Sequence, residues 1–289
     1  MSRKYSLNTG CKVNLYLKIL GKRQDGYHII DSLFYPLSRP SDSLNIIEVK
    51  GTGLTLKCCP AALEHKGNIL HKAYELYALA SGFRPGLRVF LHKNVPAGAG
   101  LGGGSANAAA ILLALNEMSG ADRLDHENLL SVAARVGADV PFFLVNKPAR
   151  VRGIGDILST CSVSLKDFVM LLICPKVHVD TAWAYSQWDL YNENYNPPPS
   201  HSLTTPFTTD NDSPLEVRLV LSNSFEEVIF RSYPEIMRIK TSMLKNGAAA
   251  CVMSGSGSSL IALFRDKAKA AQSCSLLQRQ SVPFFTIFL

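Results

Sequence analysis

Residues 96–107 read Pro-Ala-Gly-Ala-Gly-Leu-Gly-Gly-Gly-Ser-Ala-Asn, and they raise the first chemical question. Five glycines, at 98, 100, 102, 103 and 104, fall within seven positions. Ordering so many glycines is entropically costly unless the backbone must come close to something. The segment runs straight into an apolar, Ala- and Leu-rich stretch over 106–118, which reads as a helix. Successive amides at a helix N-terminus form an anion site suited to phosphates. No Gly-Lys-Ser/Thr closes the loop, so it is not a Walker A element. Nor does it follow the dinucleotide pattern, with its acidic residue after a second strand. A flexible surface loop is the alternative, and the regular helix that follows at once argues against it.

Three further segments carry side chains with chemical potential. Met253-Ser-Gly-Ser-Gly-Ser-Ser259 lies between two strand-like runs. It reads either as a hairpin turn or as small residues that let two loops close around a triphosphate. Gly137-Ala-Asp139-Val-Pro141 follows a helix end, and Pro141 is expected to hold Val140 extended and so orient the carboxylate. Asp139 is then a general base or a residue bonding its own backbone. Near the start, Lys12-Val-Asn14-Leu-Tyr-Leu places Lys12 and Asn14 on one strand face and Val13, Leu15 and Leu17 on the other. A lone lysine at a strand start is usually solvated. Gly21-Lys-Arg-Gln-Asp-Gly-Tyr27-His28 then supplies a stacking ring and an imidazole after a tight turn.

Positioning these groups requires strands and helices in both halves. Alternation predicts strands over 12–20, 44–49, 54–57 and 87–91. Helical spacing predicts helices over 69–80, ending at Gly82, and over 125–136, capped by Asp125 and closed by Gly137. Past Arg152 the pattern restarts with a strand over 168–174 and helices over 215–230 and 234–246. Strands over 249–253 and 260–264, a helix over 267–277 and a strand over 284–289 complete it. The Pro-, Ser- and Asn-rich stretch 192–214 reads as an exposed loop. This organisation suggests two α+β domains with a seam near residues 150–160.

Composition narrows the partners. The 289 residues are 47% hydrophobic and 18% charged, enough for a substantial core. Thirty Lys+Arg against 23 Asp+Glu give a formal net charge of +7, which suits nucleic acid, a membrane surface or phosphorylated small molecules. Lys and Arg are dispersed rather than clustered with aromatics, so a nucleic-acid binder is not expected. No run of about 18 apolar residues suggests a membrane helix. The first eleven residues lack the apolar stretch of a secretory signal. Seven scattered cysteines show no zinc spacing and read as reduced thiols in a cytoplasmic protein.

Taken together, the motifs at Lys12–Leu17, Gly21–His28, Gly100–Ser105, Gly137–Pro141 and Met253–Ser258 resemble the GHMP kinase superfamily. The closest likeness is to its branch acting on a cytidylated methylerythritol, for which Asp25-Gly-Tyr27-His28 is the most specific element. The resemblance implies an α+β, two-domain GHMP kinase fold. Residues 1–155 would form a ribosomal protein S5 domain 2-like ATP-binding and catalytic half, and residues 156–289 a ferredoxin-like half. It also implies transfer of the ATP γ-phosphoryl group to the 2-hydroxyl of 4-diphosphocytidyl-2-C-methyl-D-erythritol, with Mg²⁺, in the non-mevalonate isoprenoid route. Asp139 and Lys12 become the catalytic pair. Pro96, Gly98, Gly100, Leu101, Gly102, Gly103, Gly104, Ser105 and Ala106 would bind ATP, joined by Lys93 and by Asn68, for which a helix cap is the equal alternative. Asn14, Tyr27, His28, Thr181 and Tyr185 would hold the other substrate, with an aromatic opposite Tyr27. Ala106 and Ala138 stand where serine is usual. Mg²⁺ has no named protein ligand, and a monomer or weak homodimer acting on small molecules is expected. Another superfamily kinase, or a non-catalytic nucleotide sensor on the same fold, is the competing reading.

Overall fold

A computed structural model describes residues 3–195 and 221–289. The alternation near the start belongs to a longer strand, β1 (Lys4–Lys22), which turns and returns antiparallel as β2 (His28–Val49). Register shifts fall between Thr9 and Cys11, Asn14 and Tyr16, and Ile19 and Gly21. Each shift resets which side chains face inward, so a strict period of two shows only fragments of this ribbon. β3 (Gly53–Cys59) continues through α1 (Ile69–Ser81) into β4 (Gly86–His92), its parallel neighbour. Asn68 caps α1, and Gly82 ends it with φ 75°.

The glycine loop leads into α2 (Gly103–Met118), followed by α3 (His126–Val136) and α4 (Val140–Val145). Here one expectation is corrected. Val140 is helical rather than extended, because Pro141 falls in the first turn of α4, where its missing N–H has no helical partner to lose. The short, uniformly apolar α4 carries no periodic signal and was not foreseen. β5 (Ala149–Gly153) pairs with β2, and β6 (Ile157–Thr160) pairs with β5. The seam expected at 155/156 therefore falls inside the β5–β6 hairpin.

The second half runs β7 (Val169–Ile173), α5 (Thr181–Tyr195), β8 (Ser222–Asn223), α6 (Glu226–Ser232) and α7 (Pro234–Lys245). It closes with β9 (Ala250–Met253), β10 (Leu260–Phe264), α8 (Lys267–Arg279) and β11 (Phe284–Phe288). The helix expected over 215–230 is confined to α6 among the described residues, and its first part lies outside them. Residues 222–223 instead join β1 as a parallel strand. Asn223 holds them there, donating to the carbonyls of Met253 and Gly255 at 2.7 Å each. α5 was not predicted, and most of the Pro-rich stretch lies outside the described residues.

The first sheet has the path β3-β4-β2-β1-β8, with β5 and β6 branching from β2. The second has the antiparallel order β11-β7-β10-β9, which gives the β-α-β-β-α-β plan of the ferredoxin-like expectation. α1–α4 cover one face of the first sheet through Tyr74, Tyr77, Leu112 and Phe142. Its other face, with Val13, Leu15 and Leu33, packs on Met170, Leu172, Val252 and Ile261 of the second sheet. The far face of that sheet buries Leu171, Ile173 and Phe264 against its own helices. The layers are helix, sheet, sheet, helix, so the loops at one end of both sheets meet.

Leu15 is fully buried in the layer between the sheets. Leu15→Ala should cost roughly 3 kcal/mol by the usual transfer and cavity terms. Urea unfolding would measure it as a lower midpoint, and a loss under 1 kcal/mol would show that the two sheets are not packed as described.

Candidate active site

The glycine loop is tied to its surroundings by backbone groups first. Lys12 N–H donates to Leu101 O at 2.9 Å, which pins the loop to β1. Gly100 has φ 75°, and a Cβ there would overlap the Ser254 carbonyl oxygen. The two glycine segments are therefore in direct contact, and Ser254 Oγ adds a hydrogen bond to Gly100 O at 3.2 Å. The first bond of α2 runs from Ala106 N–H to Gly102 O at 2.9 Å. The amides of Gly103, Gly104 and Ser105 thus have no intrahelical acceptor and are available to an anion.

Beneath the loop lies Asp42, with no exposed surface. Its Oδ1 accepts from Asn94 N–H at 2.7 Å and Val95 N–H at 2.8 Å. Its Oδ2 accepts from Asn107 Nδ2 at 3.0 Å and from the Lys93 ammonium. Thr9 Oγ1 donates to Asn107 Oδ1 at 2.5 Å. A buried carboxylate is tolerated when donors surround it, and these donors come from both ends of the glycine segment.

Lys12 is equally enclosed, at 4% exposure. Its Nζ donates to Asn14 Oδ1 at 2.6 Å, sits 4.4 Å from the Phe34 ring centroid and lies 3.6 Å from Asp139 Oδ2. The Asn14 amide is engaged on both ends. Its Nδ2 donates to Ser32 Oγ at 2.9 Å, and its Oδ1 also lies 3.4 Å from the Ser254 hydroxyl. Asp139 is about one-third exposed, so its carboxylate faces open space as well as Lys12.

Lys12, Asn14, Asp139 and the glycine loop line a cavity of about 580 Å³. Its far wall includes Thr181, Tyr185, Phe225 and Ser256 from the second half. Thr181 Oγ1 and Ser256 Oγ are 2.9 Å apart. Burial pushes the Tyr185 phenol up to about 12, and the Asp139 charge acts in the same direction. Behind Tyr185, His28 stacks on its ring at 4.4 Å and 20°.

Two family models match the chain. The GHMP kinases N terminal domain matches residues 68–147, and the GHMP kinases C terminal domain matches residues 214–275. The chain is 46% identical over 282 residues to 4-diphosphocytidyl-2-C-methyl-D-erythritol kinase of Nitratidesulfovibrio vulgaris, covering 98% of each chain. It therefore belongs to the 4-diphosphocytidyl-2-C-methyl-D-erythritol kinase family. The kinase of the same name from Lawsonia intracellularis is 41% identical, covering 98% of this chain and 96% of its own. A crystal structure of 4-(cytidine 5'-diphospho)-2C-methyl-D-erythritol kinase superposes with TM-score 0.77 at 31% identity, covering 98% of both chains.

Set against this family's expected site, most of the sequence-picked residues converge. Lys12, Asn14, Asp139, Asn68, Lys93, Pro96, Gly98, residues 100–105, Thr181 and Tyr185 all line the one cavity. Several are placed differently from expectation. Ala106 is buried against the helical core, and its amide already serves α2, so it faces away from the cavity. Lys93 reaches the cavity wall with its ammonium committed to Asp42. Asn68 has both polar atoms in use, accepting from Leu70 N–H at 3.0 Å and donating to Leu63 O at 3.1 Å. Lys12 is buried rather than solvated. Tyr27 is 60% exposed and, like His28, is not part of the cavity wall; the Tyr185 ring stacks on His28 rather than on Tyr27.

Asp42, Asn107, Ser254 and Asp189 were not picked out. Asp189 Oδ1 lies 2.6 Å from His28 Nε2, and its Oδ2 lies 2.6 Å from Lys22 Nζ. Each of these residues gains its importance from a partner distant in sequence. Local signal came from the segments around two of them, the alternating Gly and Ser at Ser254 and the glycine run that ends at Asn107.

Two outcomes follow for this kinase. Gly100→Ala must separate the two glycine segments and adopt a strained φ, so kcat/KM should fall by about a hundredfold or more, equivalent to roughly 2.7 kcal/mol. Circular dichroism should stay unchanged; undiminished kcat/KM would show the contact is dispensable. The second outcome concerns acid. Burial alone would raise the Asp189 carboxyl, but hydrogen bonds from His28 and Lys22 outweigh it and hold the group below its ordinary 3.8. A folded value below the unfolded one stabilises the docking of α5 above about pH 4, and this is lost as pH falls through the lowered value. Both tryptophans, Trp183 and Trp188, lie on α5. Their fluorescence should change in that acid window in the wild type and not in Asp189→Asn.

Proposed function

We propose that the protein transfers the γ-phosphoryl group of ATP to the 2-hydroxyl of 4-diphosphocytidyl-2-C-methyl-D-erythritol, releasing ADP, in the non-mevalonate route to isoprenoid precursors. The observation that carries this reading is the Lys12–Asp139 pair, 3.6 Å apart, on the wall of the cavity that the glycine loop also lines. Asp139 accepts the hydroxyl proton as transfer proceeds. The Lys12 ammonium stabilises charge developing between the hydroxyl and the phosphoryl oxygens. Because the transition state of phosphoryl transfer is loose, fixed donors and alignment contribute more than proton removal. The amides of Gly103, Gly104 and Ser105 supply those donors, with the Gly98–Gly102 backbone wrapping the phosphates.

Mg²⁺ fits this donor set as a phosphate-borne ion. The described residues contain no group of three or more His, Cys, Asp or Glu that could hold a metal, and among them Asp139 is the only carboxylate on the cavity wall. Asp139 is the residue that would help hold the ion beside the ATP phosphates, and the ion would supply neutralisation of phosphate charge there. For the other substrate we assign Thr181 and Tyr185 on the cavity wall, with Tyr27 and His28 beyond it, to the cytidine, and Asn14 to the methylerythritol. We assign ATP binding and catalysis to residues 1–155 and the closing wall to residues 156–289, with the β5–β6 hairpin straddling the division. Seven free thiols suit a reducing cytoplasm.

The test is ADP release across a panel of alcohol acceptors. Release should require the cytidylated methylerythritol, and methylerythritol phosphate lacking cytidine should be a poor acceptor. Asp139→Asn should lower kcat by about a hundredfold or more with the fold intact. Turnover surviving that change would remove Asp139 as the base, and indifference to the cytidine would remove the Tyr27/His28 assignment.

A further inference from the structure

Asp189 has no part in the reading above, yet it fixes the state of the group that would meet the base. The His28 side chain is only 7% exposed. It is held between the stacked Tyr185 ring at 4.4 Å and the edge of Trp188 at 5.8 Å. One of its two ring nitrogens is committed, since Nε2 lies 2.6 Å from Asp189 Oδ1. The other carboxylate oxygen is held by Lys22 Nζ at 2.6 Å, so the carboxylate is clamped from two sides.

An ionised carboxylate has only acceptors to offer, so the proton between the two groups belongs to His28 Nε2. In a neutral imidazole that leaves Nδ1 bare, an acceptor with no N–H. No protein donor is placed on Nδ1 among the described residues. It is not sealed in either, since the only fully buried side-chain polar atom without a partner among them is Ser273 Oγ. A lone acceptor at the edge of an aromatic site discriminates between pyrimidines. Cytosine presents an amino group at position 4, which donates to such an acceptor. Uracil presents a carbonyl oxygen there, which meets Nδ1 lone pair to lone pair. The opposite tautomer would reverse this preference.

We propose that Asp189 is a specificity-determining residue: it holds His28 as an acceptor and thereby selects a cytidine over a uridine diphosphate group. This rests on the reading of His28 as a base contact given under Proposed function. Asp189 itself is a positioning residue, acting through the imidazole.

The test pairs a structural readout with a binding ratio. Nitrogen-15 long-range correlation spectra of the labelled wild type should show His28 protonated on Nε2 and bare on Nδ1, and this measurement needs no turnover. Calorimetric titration with cytidine diphosphate and uridine diphosphate should show a preference for the cytidine compound in the wild type. In Asp189→Asn, whose amide both donates and accepts, that preference should shrink about tenfold, one lost hydrogen-bond distinction. KM for ATP should stay unchanged. A merely structural loosening of α5 would weaken both diphosphates alike and leave the ratio intact. A proton on Nδ1 in the wild type, or an unchanged ratio in Asp189→Asn, overturns the assignment. Either result, with ADP release still dependent on cytidine, leaves the kinase reading standing. If wild-type release is indifferent to cytidine, the base-contact reading fails and this inference falls with it.

Discussion

A lysine ammonium buried to 4% exposure is the constraint around which this site is arranged. Removing such a charge from water costs several kcal/mol unless acceptors replace the lost hydration. The replacements here are the Asn14 amide oxygen, the Phe34 ring face and the Asp139 carboxylate. Asn14 can serve only if its own amide is fixed, which Ser32 and Ser254 do. Ser254 in turn bonds the carbonyl of Gly100. The charge on β1, the glycine loop and the second glycine segment are thus one connected polar assembly, contributed by both halves of the chain. Moving any one of them leaves a buried polar group without its partner.

Asp42 plays the complementary part for the loop itself. Phosphate binding by amides requires the N–H groups to be aimed before the ligand arrives, because glycine-rich backbone is otherwise free to turn away. Asp42 gathers Lys93, Asn94 and Val95 from one end of the segment and Asn107 from the other. The glycines can then take left-handed conformations in the middle while both ends are held. Lys93 shows how sequence and structure diverge. A lysine beside a phosphate loop invites the role of phosphate ligand, and its ammonium is already paired beneath the loop.

What could be read in advance follows the range of the interactions involved. Gly100 announces itself because close approach to the Ser254 backbone excludes a Cβ, and Gly102 and Gly255 because each adopts a left-handed φ, constraints that act at single positions. Asp125 and Gly82 were legible as helix ends because capping is local. Lys12 and Asp139 could be joined as a pair only through likeness to a family, since the lysine gains its carboxylate from a residue 127 positions later in the chain (139 minus 12). Asp42 and Asp189 left no trace, as each looks like a surface carboxylate until its partners arrive from other elements. The β1–β2 ribbon appeared as fragments because its register shifts break the alternation that reveals a strand. α4 was too short and too evenly apolar to show a period.

The pairing of charges in the cavity also bears on how a polyanion is held there. Lys12 is matched by Asp139 and Lys93 by Asp42, so the two cations nearest the loop are each balanced by a carboxylate. The formal excess of +7 therefore sits mainly elsewhere on the chain, where it speeds encounter with phosphorylated ligands over a range set by salt. Final binding then falls to neutral donors, the amides at the start of α2 and the glycine backbone, whose strength depends on alignment rather than on net charge. Such donors favour the geometry in which they were fixed. A site built from them can stabilise the charge distribution of the transferring phosphoryl group more than that of the separated products, which a cluster of free lysines could not distinguish as well.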